Sequence, residues 1–207
     1  AADVRITTTT GAIDLTADAG DVILHRVAGT DQKGTTVEVN SKSGPITMTA
    51  ADRVSIQGGQ GGQWVRVGSN NSSSDIVLRG ARVKVRGGTT ETAFAEVVTG
   101  AGGAITVDAT DELLVTGGTA GRIAALNGSD LSMSGEAQTW NGEIRAGSGG
   151  HTGGNVFLSG AITAGVEPVF GLAEGARFTL TRLTPHGHPS SYASPVPLAV
   201  STKGTGT

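Results

Sequence analysis

A unit of three short apolar strands recurs along this chain, with a pair of glycines before the third strand. In one copy the strands lie at 46–48, 54–56 and 64–67, with the glycines at 58–59. Later copies lie at 76–78, 83–85, 87–88 and 93–97, and at 105–107, 113–115, 117–118 and 123–126. The leading strands begin at residues 13, 46, 76, 105, 131 and 156, so their spacing falls from 33 (46−13) to 25 (156−131). A period of this length is typical of a solenoid.

Each strand has only two or three alternating apolar positions, too few to bury a core within one sheet. Stacked coils remove this difficulty, because each strand then pairs in parallel with its equivalent one coil away and the inward side chains form one continuous core. The double glycines mark corners that need a positive φ or close backbone approach. The sequence therefore predicts an all-β fold, a right-handed, three-sided parallel β-helix of about six to seven coils.

The predicted core consists of the inward positions of the first two strands in each unit. These positions are Ile46, Met48, Val54, Ile56, Ile76, Leu78, Ile105, Val107, Leu113 and Val115. Residues 28–36 are interpreted as an insertion and residues 91–98 as a strand, while the polar corner 68–74 is expected to project from the stack.

The repeat extends over residues 1–165, which we interpret as the shaft, and it degrades over residues 166–207. This second part of the same solenoid carries five of the six prolines, and proline cannot donate to a strand ladder. Strands are still expected at 156–158, 178–180 and 198–200, with an excursion at 184–194. Both ends are expected to leave coil edges open, which predicts continuation into further repeats or head-to-tail stacking.

The composition excludes several classes of protein. With no cysteine there are no disulfides or cysteine metal sites, and no segment approaches the roughly twenty apolar residues of a spanning helix, so we expect no membrane insertion. Since the chain begins without methionine or a signal peptide, we expect that a leader was removed or that this is a piece of a longer protein. Net charge −3 argues against nucleic acid, and the basic run Arg79, Arg82, Lys84 and Arg86 is interpreted as a solvated strand face, with an anion-binding patch as the alternative.

The histidines do not form a convincing metal site. His186 and His188 are two residues apart, but zinc needs three or four ligands, and neither His25 nor His151 is close in sequence. We therefore expect no metal and no cofactor.

Carboxylates cluster at two corners. One cluster contains Asp14, Asp18 and Asp21, and the other Asp108, Asp111 and Glu112. Such clusters serve calcium binding or acid–base catalysis in β-helical polysaccharide lyases and hydrolases. Neither cluster has matching acids in the adjacent coil, so both are interpreted as solvated corners.

Other catalytic and binding motifs are weak. There is no Gly-x-Ser-x-Gly elbow, and the glycine-rich segment 58–62 lacks the Lys-Ser/Thr and the helix of a phosphate loop. Trp64 and Trp140 are both assigned to third strands, and Trp64 is interpreted as a wall residue, with a carbohydrate platform as the alternative. No catalytic residue is predicted, and we expect the chain not to be an enzyme.

The recurrent strings at 103–109 (GAITVDA) and 113–121 (LLVTGGTAG) resemble the central repeats of filamentous haemagglutinin-like adhesins. The resemblance covers roughly residues 11–165. It implies a right-handed β-helical shaft of a large bacterial exoprotein, commonly exported by two-partner secretion, and no catalytic residue.

The function expected from this reading is a structural and adhesive shaft segment of a secreted or surface-displayed bacterial adhesin or filament. Its expected partners are a glycan or protein of a cell surface and further copies of itself. The alternative is a β-helical polysaccharide lyase or hydrolase, or a glycan-binding protein similar to a phage tailspike. Acids aligned on neighbouring coils beside a groove would favour that alternative.

Overall fold

A computed structural model describes residues 3–25, 36–88, 90, 92–126, 131–148, 156–164, 169–172, 178–181 and 200–202, with side chains as far as Ser134. The described residues form one sheet of fifteen strands. The strands are β1 Val4–Thr8, β2 Ile13–Ala17, β3 Val22–His25, β4 Thr36–Ser41, β5 Ile46–Ala50, β6 Arg53–Gln57, β7 Trp64–Ser69, β8 Ile76–Arg86, β9 Ala95–Thr99, β10 Ile105–Leu126, β11 Leu131–Ser148, β12 Val156–Ala164, β13 Val169–Leu172, β14 Phe178–Thr181 and β15 Val200–Thr202.

Every strand pairing is parallel, and the pairings form three ladders. The first ladder joins β2, β5, the starts of β8, β10, β11 and β12, and β14. The second joins β3, β6 and the later parts of β8, β10, β11 and β12. The third joins β1, β4, β7, β9, the ends of β10 and β11, β13 and β15. Because each strand pairs with its equivalent one repeat away, the fold is a parallel β-solenoid, as the period predicted.

The solenoid has about four turns, fewer than the six to seven predicted. Four repeats separate the leading residues Ile13, Ile46, Ile76, Ile105 and Leu131, which are aligned in the first ladder. The sequence-based count was too high because it also assigned a complete turn to each strand that follows Leu131. Beyond Ser148 the strands continue the parallel pairings, but the segments that connect them lie outside the described residues.

The core is a set of apolar columns inside the ladders. All ten predicted inward residues are at most 1% exposed, and β5 alternates buried and half-buried positions along its length. In the first column Ile46, Ile76 and Ile105 are stacked in direct register. Full burial of each such side chain contributes roughly 1.5–3 kcal/mol, so the stack supplies the core that one strand cannot supply.

Glycine is required at the corners mainly because the backbones of neighbouring turns approach each other closely there. A Cβ on Gly58 would collide with the carbonyl oxygen of Ala93 in the next turn. Gly117, at the same place two turns after Gly58, has a φ of 105°, which an L side chain rarely adopts. The double glycine therefore serves both of the roles that the sequence suggested, at different turns.

Several strand boundaries differ from the prediction. The first and second strands of a unit join without a loop in β8 and β10, where a register shift between Ala109 and Glu112 absorbs the corner. The strand predicted at 91–98 is β9, which begins only at Ala95. The strands expected around 156 and 178 are present as β12 and β14, and of the strand expected at 198–200 only Val200 is described. Most of the insertion 28–36 and the excursion 184–194 lie outside the described residues.

We predict that Ile105→Asp unfolds the stack whereas Thr106→Asp is tolerated. Ile105 is fully buried between Ile76 and Leu131, so a carboxylate there lowers the free energy of unfolding by roughly 4 kcal/mol or more. Thr106 is half-buried on the opposite side of the same strand and should lose less than about 1 kcal/mol. Thermal and urea unfolding followed by circular dichroism measures both, and equal midpoints for the two variants would contradict the assigned register.

Candidate functional site

The residues singled out as metal ligands are not brought together in the described structure. His25 is exposed at the end of β3, opposite Gln57. His151, His186 and His188 lie outside the described residues. Within the described ranges, no three His, Asp or Glu residues are grouped as metal ligands. Those ranges also contain no helix that is long and apolar enough to cross a membrane.

The first acidic cluster is spread out and partly neutralised. Asp14 and Asp18 are exposed, and Asp14 lies opposite Thr47 in the next turn. Asp21 accepts a hydrogen bond of 2.6 Å from Nη2 of Arg53, one turn away. Asp14 and Asp18 agree with the solvated corner that the sequence favoured, whereas Asp21 is half-buried and paired with Arg53.

The second acidic cluster also lacks a partner acid. Oδ1 of Asp108 accepts a hydrogen bond of 3.0 Å from the Ser134 hydroxyl, and its Oδ2 lies 4.0 Å from Nε of Arg79. Asp111 is exposed, and Glu112 is opposite Arg82 in the preceding turn. Carboxylates in neighbouring turns are not aligned here, so the arrangement lacks the two facing acids that glycoside hydrolysis uses.

The basic run forms the outer side of β8. Val83 and Val85 are buried while the intervening Lys84 is half-buried and Arg86 is exposed, as the alternation predicted. Arg82 donates three hydrogen bonds to Asp52 of the preceding turn, from Nε to Oδ1 at 3.1 Å and from Nη2 to Oδ1 at 2.5 Å and to Oδ2 at 2.7 Å. These contacts with Asp52 raise the pKa of Arg82.

The third ladder carries a column of charges of alternating sign, which the sequence analysis missed. One position in each of five successive strands is occupied in turn by an outward arginine or glutamate. In register order these residues are Arg5, Glu38, Arg66, Glu96 and Arg122, and the backbone register places Glu143 next in the same row. Each charge therefore has an opposite charge one turn away, at the strand spacing of about 4.8 Å. We call this column the charge ladder.

Glu96 is the buried centre of the charge ladder. Its side chain is 0% exposed, and its Oε2 accepts a hydrogen bond of 2.7 Å from Nε of Arg66. Its Oε1 is paired with Nη2 of Arg122 on the other side. Burial lowers the pKa of Arg66, while Glu38 opposes that shift. Both guanidinium groups remain charged, because arginine is not deprotonated in proteins.

An aromatic stack lies beside the charge ladder. The rings of Trp64 and Phe94 are nearly parallel, with centroids 5.3 Å apart and an interplanar angle of 7°. The guanidinium of Arg66 lies 5.0 Å from the Trp64 ring and 5.3 Å from the Phe94 ring. Because Phe94 covers one face of the indole, this geometry favours the interpretation of Trp64 as a wall residue over that of a sugar platform.

Trp140 was assigned to the wrong ladder. The register places it opposite Val115 in the second ladder, two residues before Gly142, which is paired with Gly118. The repeat is shorter here and has a single corner glycine, Gly142. Because the sequence analysis expected a double glycine before each third strand, it assigned Trp140 to the third strand of its unit when it lies in the second. Trp64 and Trp140 therefore do not share a ladder.

The polar corner expected to project is only partly exposed. Asn70, Asn71 and Ser73 are exposed, but Ser72 and Ser74 are buried. The Ser72 hydroxyl donates a hydrogen bond to the carbonyl of Ser69 at 2.8 Å.

Buried hydroxyls connect the turns at this corner. The Ser74 hydroxyl donates to the carbonyl of Ser41, and the Thr99 hydroxyl donates to that of Ser74 at 2.7 Å. In the preceding turn the Ser41 hydroxyl donates to the carbonyl of Gly11 at 3.1 Å. These bonds satisfy carbonyls that the sharp corner removes from the strand ladders.

An open polar groove of about 530 Å³ runs along this same corner, between the third and first ladders. We call it the corner groove. It is lined by residues from four successive turns: Thr9, Thr10, Lys42, Ser43, Asn70, Asn71, Ser72, Ser73 and Ala101. Its chemistry is that of hydroxyl, amide and ammonium groups, without an acid that could serve in catalysis.

Comparisons of the chain with protein-family models, with curated proteins and with solved structures found no match. The strand pairings alone establish the fold as a β-solenoid, and the function has to be argued from the chain itself.

We predict that Glu96→Gln destabilises the solenoid more than Glu38→Gln. Removing the Glu96 charge leaves two arginines, each less than a third exposed, without their shared partner, which we expect to cost about 1–3 kcal/mol. Glu38 belongs to the same charge ladder, but it is 18% exposed and lies 3.7 Å from Arg5, which is 56% exposed. Urea unfolding of both variants tests this prediction. A larger loss for Glu38→Gln would show that Glu96 is not the centre of the charge ladder.

Proposed function

We propose that this chain is a structural and adhesive shaft segment of a secreted or surface-displayed bacterial adhesin or extracellular filament. The observation that supports this proposal best is the environment of three acids in the described turns. Asp21, Asp52 and Glu96 are all paired with arginines one turn away, so these carboxylates join turns together. An enzyme acting on glycans would instead need two free acids facing a cleft.

The shape proposed for the shaft is a right-handed, three-sided helix. Support comes from the three parallel ladders and from the general preference for right-handed crossover connections between parallel strands. At about 4.8 Å per turn, four turns measure roughly 20 Å along the axis. Further repeats of the same kind would lengthen such a shaft without changing its cross-section.

The partners proposed are a glycan or protein of a cell surface and other copies of this chain. An extracellular location and two-partner export belong to the same proposal and are supported by the repeat pattern that resembles adhesin shafts. The alternative function is a β-helical polysaccharide lyase or hydrolase or a tailspike-like glycan-binding protein. The corner groove crosses several turns and favours the glycan-binding form of this alternative, since its lining has no acid for catalysis.

Adhesion can be measured by displaying the chain on a non-adherent bacterium. We predict that cells carrying the native chain bind to epithelial monolayers several-fold better than cells carrying Ile105→Asp, which removes the fold while keeping the sequence otherwise intact. Surface amounts are matched by antibody labelling. Equal binding by the two strains would overturn the adhesive role.

The enzyme alternative is tested with the same purified chain. Incubation with neutral and acidic polysaccharides should release no new reducing ends and no unsaturated uronates. Depolymerisation that is lost in Ile105→Asp would replace the shaft proposal with the enzyme.

Self-association by end-to-end stacking is proposed from the first turn. Ile6 is aligned with the buried Val39 of the inner column, yet it is 41% exposed. In the described part of the chain, the strand that carries it, β1, has a partner on one edge only. A free strand edge with an uncovered apolar column is a template for another strand.

We predict that the purified chain associates with increasing concentration and that Ile6→Lys suppresses this association. Ile23→Lys is the matched control, because Ile23 is 51% exposed but lies opposite Ser55 on the outward side of β3. Sedimentation velocity over a wide concentration range distinguishes the variants. A native chain that remains monomeric throughout would rule out assembly by stacking.

A further inference from the structure

The corner groove originates from unequal corner lengths. Between the third and first ladders the chain uses four residues in the first two turns (9–12 and 42–45), six in the next (70–75) and five after that (100–104). The longer corner cannot follow the path of the shorter ones and places Asn70 and Asn71 beyond them, where both are exposed. The longer corner forms one wall of the groove, and Lys42 and Thr10 lie beside it on the two preceding turns.

The floor of the groove is held by backbone hydrogen bonds between turns. The amides of Lys42 and Ser43 donate to the carbonyls of Thr8 and Thr9, both at 3.1 Å, and the amide of Ser73 donates to the carbonyl of Lys42 at 2.9 Å. These backbone groups are used internally, while the side chains of Thr9, Thr10, Lys42, Asn70, Asn71 and Ser73 are left exposed. The backbone of the groove is therefore fixed, and the exposed side chains supply donors and acceptors to a ligand.

The lining has a specific chemical character. Every lining side chain except that of Ala101 bears a hydroxyl, an amide or an ammonium group, and none is acidic or aromatic. Lys42 is the charged member, and no carboxylate of the described residues lies within ion-pair distance of it. A divalent cation would require carboxylates, which this lining lacks.

We infer that the corner groove binds an acidic polysaccharide, a glycan chain whose sugar units carry carboxylates, lying along the solenoid axis. The hydroxyls and amides hydrogen-bond the sugar hydroxyls, and the Lys42 ammonium pairs with a carboxylate. Corners recur about every 4.8 Å along the axis, a distance similar to the length of one sugar unit, so successive units of a polymer meet Thr10, Lys42 and Asn71 on successive turns. This inference rests on the proposed adhesive function and names the class of glycan for it.

Binding is tested by isothermal titration of the purified full chain with oligogalacturonate, and with malto-oligosaccharide of equal length as the neutral probe. We expect oligogalacturonate to bind and to weaken as salt is raised, because the carboxylate–ammonium contact is exposed to screening. Lys42→Gln should weaken it about tenfold, the loss expected for one charged hydrogen bond. Lys84→Gln is the matched control, since it removes the same charge from the outer side of β8 and should leave the affinity unchanged.

A second variant tests the wall of the groove without changing charge. Asn71→Ala removes an exposed amide and should weaken binding several-fold, with an unfolding midpoint equal to that of the native chain. Three results would overturn the inference: no binding of oligogalacturonate, equal binding of the neutral probe, or binding lost in Lys84→Gln but kept in Lys42→Gln. If purified chain fails to bind while displayed cells still adhere, the groove inference fails and the adhesive function stands.

Discussion

In-register parallel pairing between successive turns is the constraint on which the rest of this structure depends. Once Ile46 pairs with Ile76, and Ile76 with Ile105, every other position of the unit also lies above its own equivalent. Each side chain then has two neighbours along the axis. They are the residues at the equivalent positions of the preceding and following repeats. Apolar positions become columns of the core, and the stability of the stack becomes a sum over neighbouring turns.

The same rule explains why charged and polar residues can be placed close together at little cost. On the third ladder arginine and glutamate alternate, so Glu96 is buried between two cations and is not an isolated charge. At the corner, the hydroxyls of Ser74 and Thr99 bond carbonyls of the turn before. Where a corner is longer than its neighbours, as at residues 70–75, the additional residues protrude from an otherwise regular surface. The corner groove is a consequence of that difference in length.

The period and the alternation of apolar residues were sufficient to predict the parallel solenoid and its ten inward core residues, because both are local properties of the sequence. The position of Trp140 was not predictable in the same way, since register shifts around 108–112 and 116–122 change how many residues each corner absorbs. The charge ladder was missed for a related reason. Its members are 33, 28, 30, 26 and 21 residues apart (38−5, 66−38, 96−66, 122−96 and 143−122), so no fixed period aligns them. The corner groove could not be predicted either, because its lining residues come from four turns and meet only after those turns have stacked.

Alternation of charge also bears on how a repetitive chain avoids pairing with the wrong turn. The apolar columns alone discriminate poorly, because the leading strand of one turn resembles that of the next. If β1 skipped β4 and paired with β7, Arg5 would lie opposite Arg66, and skipping β7 would place Glu38 opposite Glu96. Like charges directly opposite each other in a sheet are destabilising, whereas the correct order places opposite charges in contact. The apolar columns do not prevent a strand from pairing one turn too far along, whereas the charge ladder disfavours any pairing in which a single turn is skipped.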